Sequence, residues 1–508
     1  MRFSFPTIVA ISLAFVSGTH SFAEPEKDKK PAEKPAEKKV EEKQSITERT
    51  ATIRGKVINY TATAGTIRLD GGEEVKSDAS VFYVAYTKKN DDPEADLSSR
   101  PISFCFNGGP GSSAVWLHLG GLGPKRVHLT EDGQMPPPPF KLKDNAASIL
   151  DVTDLVFIDP VSTGYSRAAQ KDKVGEFHGF EGDLKSVSEA VRLYVHRNER
   201  WLSPKYLIGE SYGALRVAGL SQTLQNRYGM YLNGIVLVSG VIDFKTLWGD
   251  DLAYVCFLPA LAEVAAYHGK LDQPVVADMA AFRKEVESFA KNEYATALLL
   301  GAKLGDAERK EIVEKLARYT GMEPDLIERQ NLRIDSGLFR REILKEEGKT
   351  IGRFDGRIIG PARSESGDPS YDAVYGPFAS TLKHYLSHDL KFKSDNIYEI
   401  LTRKVQPWDY KTFTGESVKA TPHLAEAIAK NPYLQVLVNC GRQDLATPAF
   451  AIQHSLDQLN ISPDLQKNIQ YTYYEGGHMM YTIEESNTQW NNDLRDFIEK
   501  TKTGVVAE

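Results

Sequence analysis

At 508 residues the chain has room for one large catalytic domain with an insertion, or for two or three smaller domains. Its 62 basic and 69 acidic side chains leave a net charge of −7 with no basic stripe, which sets nucleic acid aside as a partner. Cys105, Cys256 and Cys440 are too few, and odd in number, for a disulfide scaffold; in settings such as Phe104-Cys105-Phe106 they read as small buried hydrophobes, not as nucleophiles or a metal set.

Residues 1–23 open with charge at Arg2, run through an apolar stretch at 8–16 and end at the small residues Ser21 and Ala23, the pattern of a cleaved export signal. The competing reading is a buried N-terminal helix or a retained anchor, but the stretch falls short of the roughly 20 apolar residues that span a bilayer. No later apolar run is long enough either. The expectation is export, to the periplasm or outside the cell, without stable membrane insertion. Residues 24–44 are nearly all charge of both signs, Pro and Ala, and cannot bury enough apolar surface to order themselves, so they read as a flexible tether.

Folding is expected from residue 45. Between 50 and 86, short alternating runs (ATIRGKVINY, GTIRL, SVFYVAY) separated by turns such as Asp70-Gly71-Gly72 predict antiparallel strands. From 101 to 243, buried apolar runs (ISFCF, DLVFID, KYLIGE, GIVLVSGVID) alternate with helix-like stretches such as 182–200, which predicts a mostly parallel α/β sheet with helices on both faces. Over 244–380 amphipathic segments such as 275–295 and 307–319 predict a helical insertion. Its aromatic residues, among them Trp248, Tyr254 and Phe257, are expected to roof a cleft. Strand signals resume at 433–439 and 469–474, before a closing helix near 488–502, so 45–243 and 381–508 read as two parts of one domain.

Ser211 stands in Gly209-Glu210-Ser211-Tyr212-Gly213, between the run Tyr206-Leu207-Ile208 and a helix-capable stretch. A G-x-S-x-G at a strand-to-helix junction is the pattern of a nucleophile elbow in the α/β-hydrolase fold. A serine nucleophile needs a base, and the base an anion to hold its tautomer. Asp444, after the strand ending Val438-Asn439, and His478, after the strand at 469–474, follow in the Ser, Asp, His order of that fold. His178, His196, His268, His384, His388 and His423 read as surface or packing residues. Asn107-Gly108-Gly109-Pro110-Gly111 follows another strand and reads as a tight turn or as an oxyanion loop. In the second case the N–H groups of Gly109 and Tyr212 converge on one oxygen.

Together these motifs resemble the serine carboxypeptidase family: NGGPGSS at 107–113, GESYG at 209–213, GRQDLATP at 441–448 and GGHM at 476–479, spread over about 101–481. The resemblance implies peptide substrates shortened one residue at a time from the C-terminal end, often at acidic pH, with no cofactor and no metal. It implies that Asn107 and Glu210 hold the substrate's terminal carboxylate. A buried glutamate does this only when it is protonated or shares a proton, because two carboxylates in contact repel. Three departures stand out. Ser112 replaces the common Cys, Gly121 occupies the site aligned with a second glutamate of many relatives, and the stretch Asp159-Pro160-Val161-Ser162-Thr163-Gly164-Tyr165-Ser166 alters a loop beside the site. Arg216, five residues beyond Ser211, reads first as a structural ion pair and second as a compensating charge. The alternatives are an esterase or acyltransferase of the same fold, a proline aminopeptidase, which favours His where Asn107 stands, and a non-catalytic binding protein, which predicts damage in the triad.

Overall fold

The computed structural model describes residues 41–70, 75, 77–90, 97–272, 277–362 and 367–503. The expected leader at 1–23 and most of the tether at 24–44 lie outside the described residues, as do Gly71 and Gly72. Gln44, the last tether residue, already pairs with Gly65.

The strands β1 (Gln44–Ile53), β2 (Lys56–Asp70) and β3 (Asp78–Lys88) are antiparallel. Ile53 faces Lys56 across Arg54-Gly55, both at positive φ (50° and 76°), the two-residue turn whose twist matches that of the strands. Besides the short Arg167–Ala168, which pairs with β3 off the main path, six further strands extend the sheet: β4 (Ile102–Phe106), β5 (Asp154–Ile158), β6 (Lys205–Glu210), β7 (Gly234–Val238), β8 (Gln435–Gly441) and β9 (Ile469–Tyr474). Their spatial order is β1-β2-β3-β5-β4-β6-β7-β8-β9. β3 and β5 are antiparallel, and every pair from β5 to β9 is parallel.

Because side chains alternate across a strand, each central run feeds two cores. Phe104, Phe106, Leu207 and Leu237 join one cluster with helices Phe180–Arg197, Tyr212–Tyr228 and Thr421–Lys430. Cys105, Ile208, Val236 and Leu437 join the other with helices Pro369–His384 and Glu484–Thr501. This two-faced burial is why the runs are continuously apolar, and it is the α/β architecture expected.

Between β7 and β8 the chain is mostly helical. Helices Asp251–Tyr267, Met279–Phe289 and Asp306–Thr320 pack on one another through Val264, Phe282 and Leu316, and Leu445 and Phe450 join that third cluster. A two-stranded ribbon, Lys349–Ile351 with Ile359–Pro361, lies in the same stretch and has no counterpart in the sequence reading. The helix Pro369–His384 packs instead on the sheet, through Val374, Phe378 and Leu382.

Candidate active site

Ser211 occupies the junction of β6 and the helix Tyr212–Tyr228 with φ 62° and ψ −125°, a conformation costly for a residue with a side chain. Its flanking glycines are there for steric reasons. A Cβ on Gly209 would collide with the Gly213 carbonyl, and one on Gly213 would stand 2.7 Å from the Phe106 carbonyl. The turn is held by Ser211 N–H donating to the Val238 carbonyl at 3.0 Å.

The Asn107 loop presses directly on this elbow, since a Cβ on Gly108 would collide with the Tyr212 nitrogen. Among the described residues, neither the Gly109 nor the Tyr212 N–H donates to a loop or turn carbonyl. Arg216 locks loop and elbow together. Its Nε pairs with Asp183 Oδ2 at 2.8 Å, its Nη1 donates to the Asn107 carbonyl at 2.6 Å, and its guanidinium lies 5.4 Å from the centre of the Tyr212 ring. It is a buried structural ion pair, the first of the two readings. Asp159, also buried, props the far end of the loop by accepting from Ala114 N–H at 2.8 Å. Burial pushes its carboxyl up to about 7.

Asp444 sits just beyond β8, with Oδ1 accepting from the N–H groups of Ala446 (2.7 Å) and Thr447 (3.0 Å). Oδ2 meets His478 Nδ1 at 2.8 Å. Burial alone would lower the His478 pKa, but the charge and hydrogen bond of Asp444, with Glu210 adding, outweigh it and hold the imidazole above its ordinary value. No hydrogen bond joins Ser211 Oγ to His478, a looseness common before a substrate closes such a site.

Glu210 points into the same site and is fully buried. Burial raises its carboxyl to about 7, against the opposing pull of His478 and of a hydrogen bond from Tyr481. That bond, Tyr481 Oη to Glu210 Oε2, is 2.5 Å long. Asn107 accepts through Oδ1 from Leu117 N–H at 3.1 Å, while its buried Nδ2 makes no hydrogen bond of ordinary geometry but lies near enough to Glu210 and Tyr481 to favour their ionised forms. Tyr481 and Thr447 escaped the sequence reading. Each lies three residues from a triad member, but nothing in a single sequence says that either side chain turns inward.

A cavity of about 530 Å³ gathers Asn107, Gly109, Glu210, Ser211 and His478 with Arg353, Phe354, Asp368, Tyr371, Asp372, Trp116, Leu401 and Arg403. The roof expectation is corrected in its residues. Trp248, Tyr254 and Phe257 line a separate space of about 140 Å³, and the Trp248 ring lies 4.7 Å from that of Phe244, tilted by 36°. The helix that carries Tyr254 and Phe257 faces the helical cluster, so the lining comes instead from the segments at 353–372 and 401–406. A larger cavity, about 630 Å³, is lined by Glu176, Lys185 and Asp409 and holds none of the triad. The three cysteines are buried and unpaired, and burial pushes the Cys256 thiol up to about 12 and those of Cys105 and Cys440 upward as well. Among the described residues His384, His388 and Asp389 gather as potential metal ligands, none of them lining the cavity, with Asp389 ion-paired to Arg49 at 3.2 Å. No described helix is long and apolar enough to cross a membrane.

Comparison with known proteins gives several matches. Pheromone-processing carboxypeptidase KEX1 of Saccharomyces cerevisiae is 34% identical over 204 residues, 37% of this chain and 26% of that protein. Serine carboxypeptidase-like 29 of Arabidopsis thaliana is 26% identical over 160 residues, 29% of this chain and 31% of that protein. The matched region thus spans about a quarter to a third of these relatives. Among solved structures, the proline iminopeptidase of Mycobacterium smegmatis aligns with a TM-score of 0.38 at 11% identity, covering 86% of this chain and 99% of that one. VinJ aligns with a TM-score of 0.38 at 15% identity, covering 86% and 98%. The sequence profile described as serine carboxypeptidase matches residues 71–492, and the chain belongs to the serine carboxypeptidase family.

Proposed function

We propose that this protein is an exported serine carboxypeptidase in which Ser211, His478 and Asp444 cleave the last peptide bond of a substrate. The observation that carries the proposal is the pairing, in one cavity, of Ser211 with a buried acid at Glu210 and an Asn107 amide that makes no hydrogen bond of ordinary geometry. His478 takes the Ser211 proton as Oγ attacks the scissile carbonyl, and Asp444 stabilises the imidazolium that forms. The N–H groups of Gly109 and Tyr212 receive the developing oxyanion. His478 then returns the proton to the leaving amine, and water repeats the sequence on the acyl-enzyme. Asn107 Nδ2 and protonated Glu210 both offer a donor to the terminal carboxylate, which fixes the cut one residue from the end. Export rests on the pattern at residues 1–23.

The test is a time course on peptides with free and amidated C-termini, with products read by mass. Stepwise loss with a strong preference for free over amidated ends supports the proposal. Equal cleavage of both sinks it in favour of an esterase or acyltransferase, which needs no carboxylate grip. Failure of a fluorophosphonate to label Ser211 in folded protein points to a binding protein.

A further inference from the structure

Gly121 stands where many relatives place a second glutamate, and the structure has no room for one. A Cβ on Gly121 would collide with Trp490, and a Cβ on Gly120 with the ring edge of Tyr481. The two buried rings fill that space, stacked with centroids 5.2 Å apart and planes at 26°. Trp490 is anchored by Nε1 donating to Asn439 Oδ1 at 3.0 Å. Held against this wall, Tyr481 delivers its hydroxyl to Glu210 Oε2.

Burial keeps the Tyr481 phenol neutral, and although such a hydroxyl can donate or accept, here it donates to Glu210 Oε2. A protonated carboxyl has one carbonyl oxygen and one hydroxyl, and the carbonyl oxygen is the better acceptor. With Oε2 accepting from Tyr481, the acid proton belongs on Oε1, the other oxygen of a side chain that lines the cavity. We infer that Tyr481 is a positioning residue that aims the Glu210 proton at the substrate's terminal carboxylate, in place of the second acid of relatives. The inference rests on the carboxypeptidase reading above. A second carboxyl group would compete for the shared proton, whereas Tyr481 donates its own to Oε2, so Oε1–H stays available to the ligand. The other groups facing Glu210 are His478, whose positive charge favours the ionised form, Asp444 behind it, which opposes ionisation, and Asn107.

The experiment compares wild type with Y481F, which keeps the ring and removes the hydroxyl. Kinetics are run from pH 4.5 to 8.5 on one peptide with a free and an amidated end. At pH 5 the KM for the free end rises roughly tenfold, the loss typical of one charge-assisted hydrogen bond, while kcat and the amide's KM stay within about twofold. The pH at which the free-end KM climbs moves upward, because the phenol no longer favours the carboxylate. On an E210Q background Y481F has no further effect on that KM. An unmoved midpoint with an unmoved KM ratio, or an equal loss on both substrates, overturns the inference. Folding is checked by fluorophosphonate labelling of Ser211. If Y481F fails that check, 3-fluorotyrosine at position 481, a stronger donor of nearly the same shape, replaces it. The midpoint must then move downward, and an unmoved one again overturns the inference. A wild type that cleaves free and amidated ends alike sinks the carboxypeptidase reading itself. Discrimination in wild type with no response in the variants sinks only the role of Tyr481.

Discussion

Thr447 Oγ1 lies 3.0 Å from His478 Nδ1, beside the His478–Asp444 hydrogen bond and 2.7 Å from the Ser239 carbonyl. The same hydroxyl lies 2.9 Å from Asp444 Oδ2, so it bridges the carboxylate, the Ser239 carbonyl and the imidazole and shares the task of holding the ring. Thr447→Val, nearly isosteric, is expected to lower kcat by roughly five- to tenfold, about one hydrogen bond, with KM within twofold. Asp444→Asn, which forces the wrong tautomer, should cost on the order of 10⁴ in kcat. Steady-state kinetics on an amidated substrate, which bypasses the carboxylate grip, checks both.

The proposed mechanism needs His478 neutral, and its pKa is raised. The proposed carboxylate grip needs Glu210 protonated, and burial raises its carboxyl to about 7. The two demands oppose each other. For free-ended peptides kcat/KM should trace a narrow bell, falling about tenfold per pH unit above about 7. The same peptide as an amide or ester should keep only the rising limb. Parallel profiles for the two substrates would contradict the assignment of the falling limb to Glu210.

The raised Glu210 carboxyl also predicts a change in stability with pH. A carboxyl whose folded pKa lies above its unfolded value gives its full contribution below about 4.5 and loses it as pH rises through about 7. That shift corresponds to roughly 3 kcal/mol. Glu210→Gln removes the ionisation. Its melting temperature should match wild type near pH 4 and exceed it increasingly up to pH 8, as read by thermal denaturation at a series of pH values.

Arg216 and Asp183 are both buried, so truncating either strands a charge. Arg216→Ala should destabilise the fold by about 3–5 kcal/mol. Replacing both partners by apolar residues of similar volume should recover much of that loss. Activity should recover less, because the Asn107 carbonyl has still lost its donor. Chemical denaturation of the single and paired variants, alongside kcat, separates the two effects.

Restoring the glutamate of relatives at position 121 is expected to fail. Gly121→Glu drives its Cβ into Trp490, in a core with no slack, and overpacking of that kind costs roughly 1–3 kcal/mol or more. Trp490→Ala alone loses a buried ring and its bond to Asn439, about 3–5 kcal/mol, but in the pair it also relieves the collision, so Gly121→Glu with Trp490→Ala should lose less stability than the two single losses together. The measurement is the melting temperature of the three variants.

Much of this was legible in the sequence because its signals are local. The apolar runs at 102–106, 154–158, 205–210 and 234–238 are strands buried on both faces, and the elbow at Ser211 is spelled by glycines that its own turn requires. Asp444 and His478 could be proposed because each follows a strand in a fixed order, and the fold brings the two into contact. Tyr481 and Thr447 depend on how the loops after β8 and β9 fold onto β6 and β7, and no periodicity records such a meeting. The cavity wall failed in the same way. Trp248 looked like a lid residue because it is aromatic and lies in the helical stretch, yet the chain brings Arg353, Phe354 and Tyr371 over Ser211 instead.

The backbone of Ser211 has one more consequence, for how the protein balances endurance against use. A side chain held at φ 62° and ψ −125° costs on the order of 1–3 kcal/mol, which the surrounding strand and helix must absorb. Glycine suffers little of that cost, so the catalytically dead Ser211→Gly should outlast the working enzyme on heating. The fold keeps a permanently less stable form because only that form lifts a hydroxyl clear of the sheet.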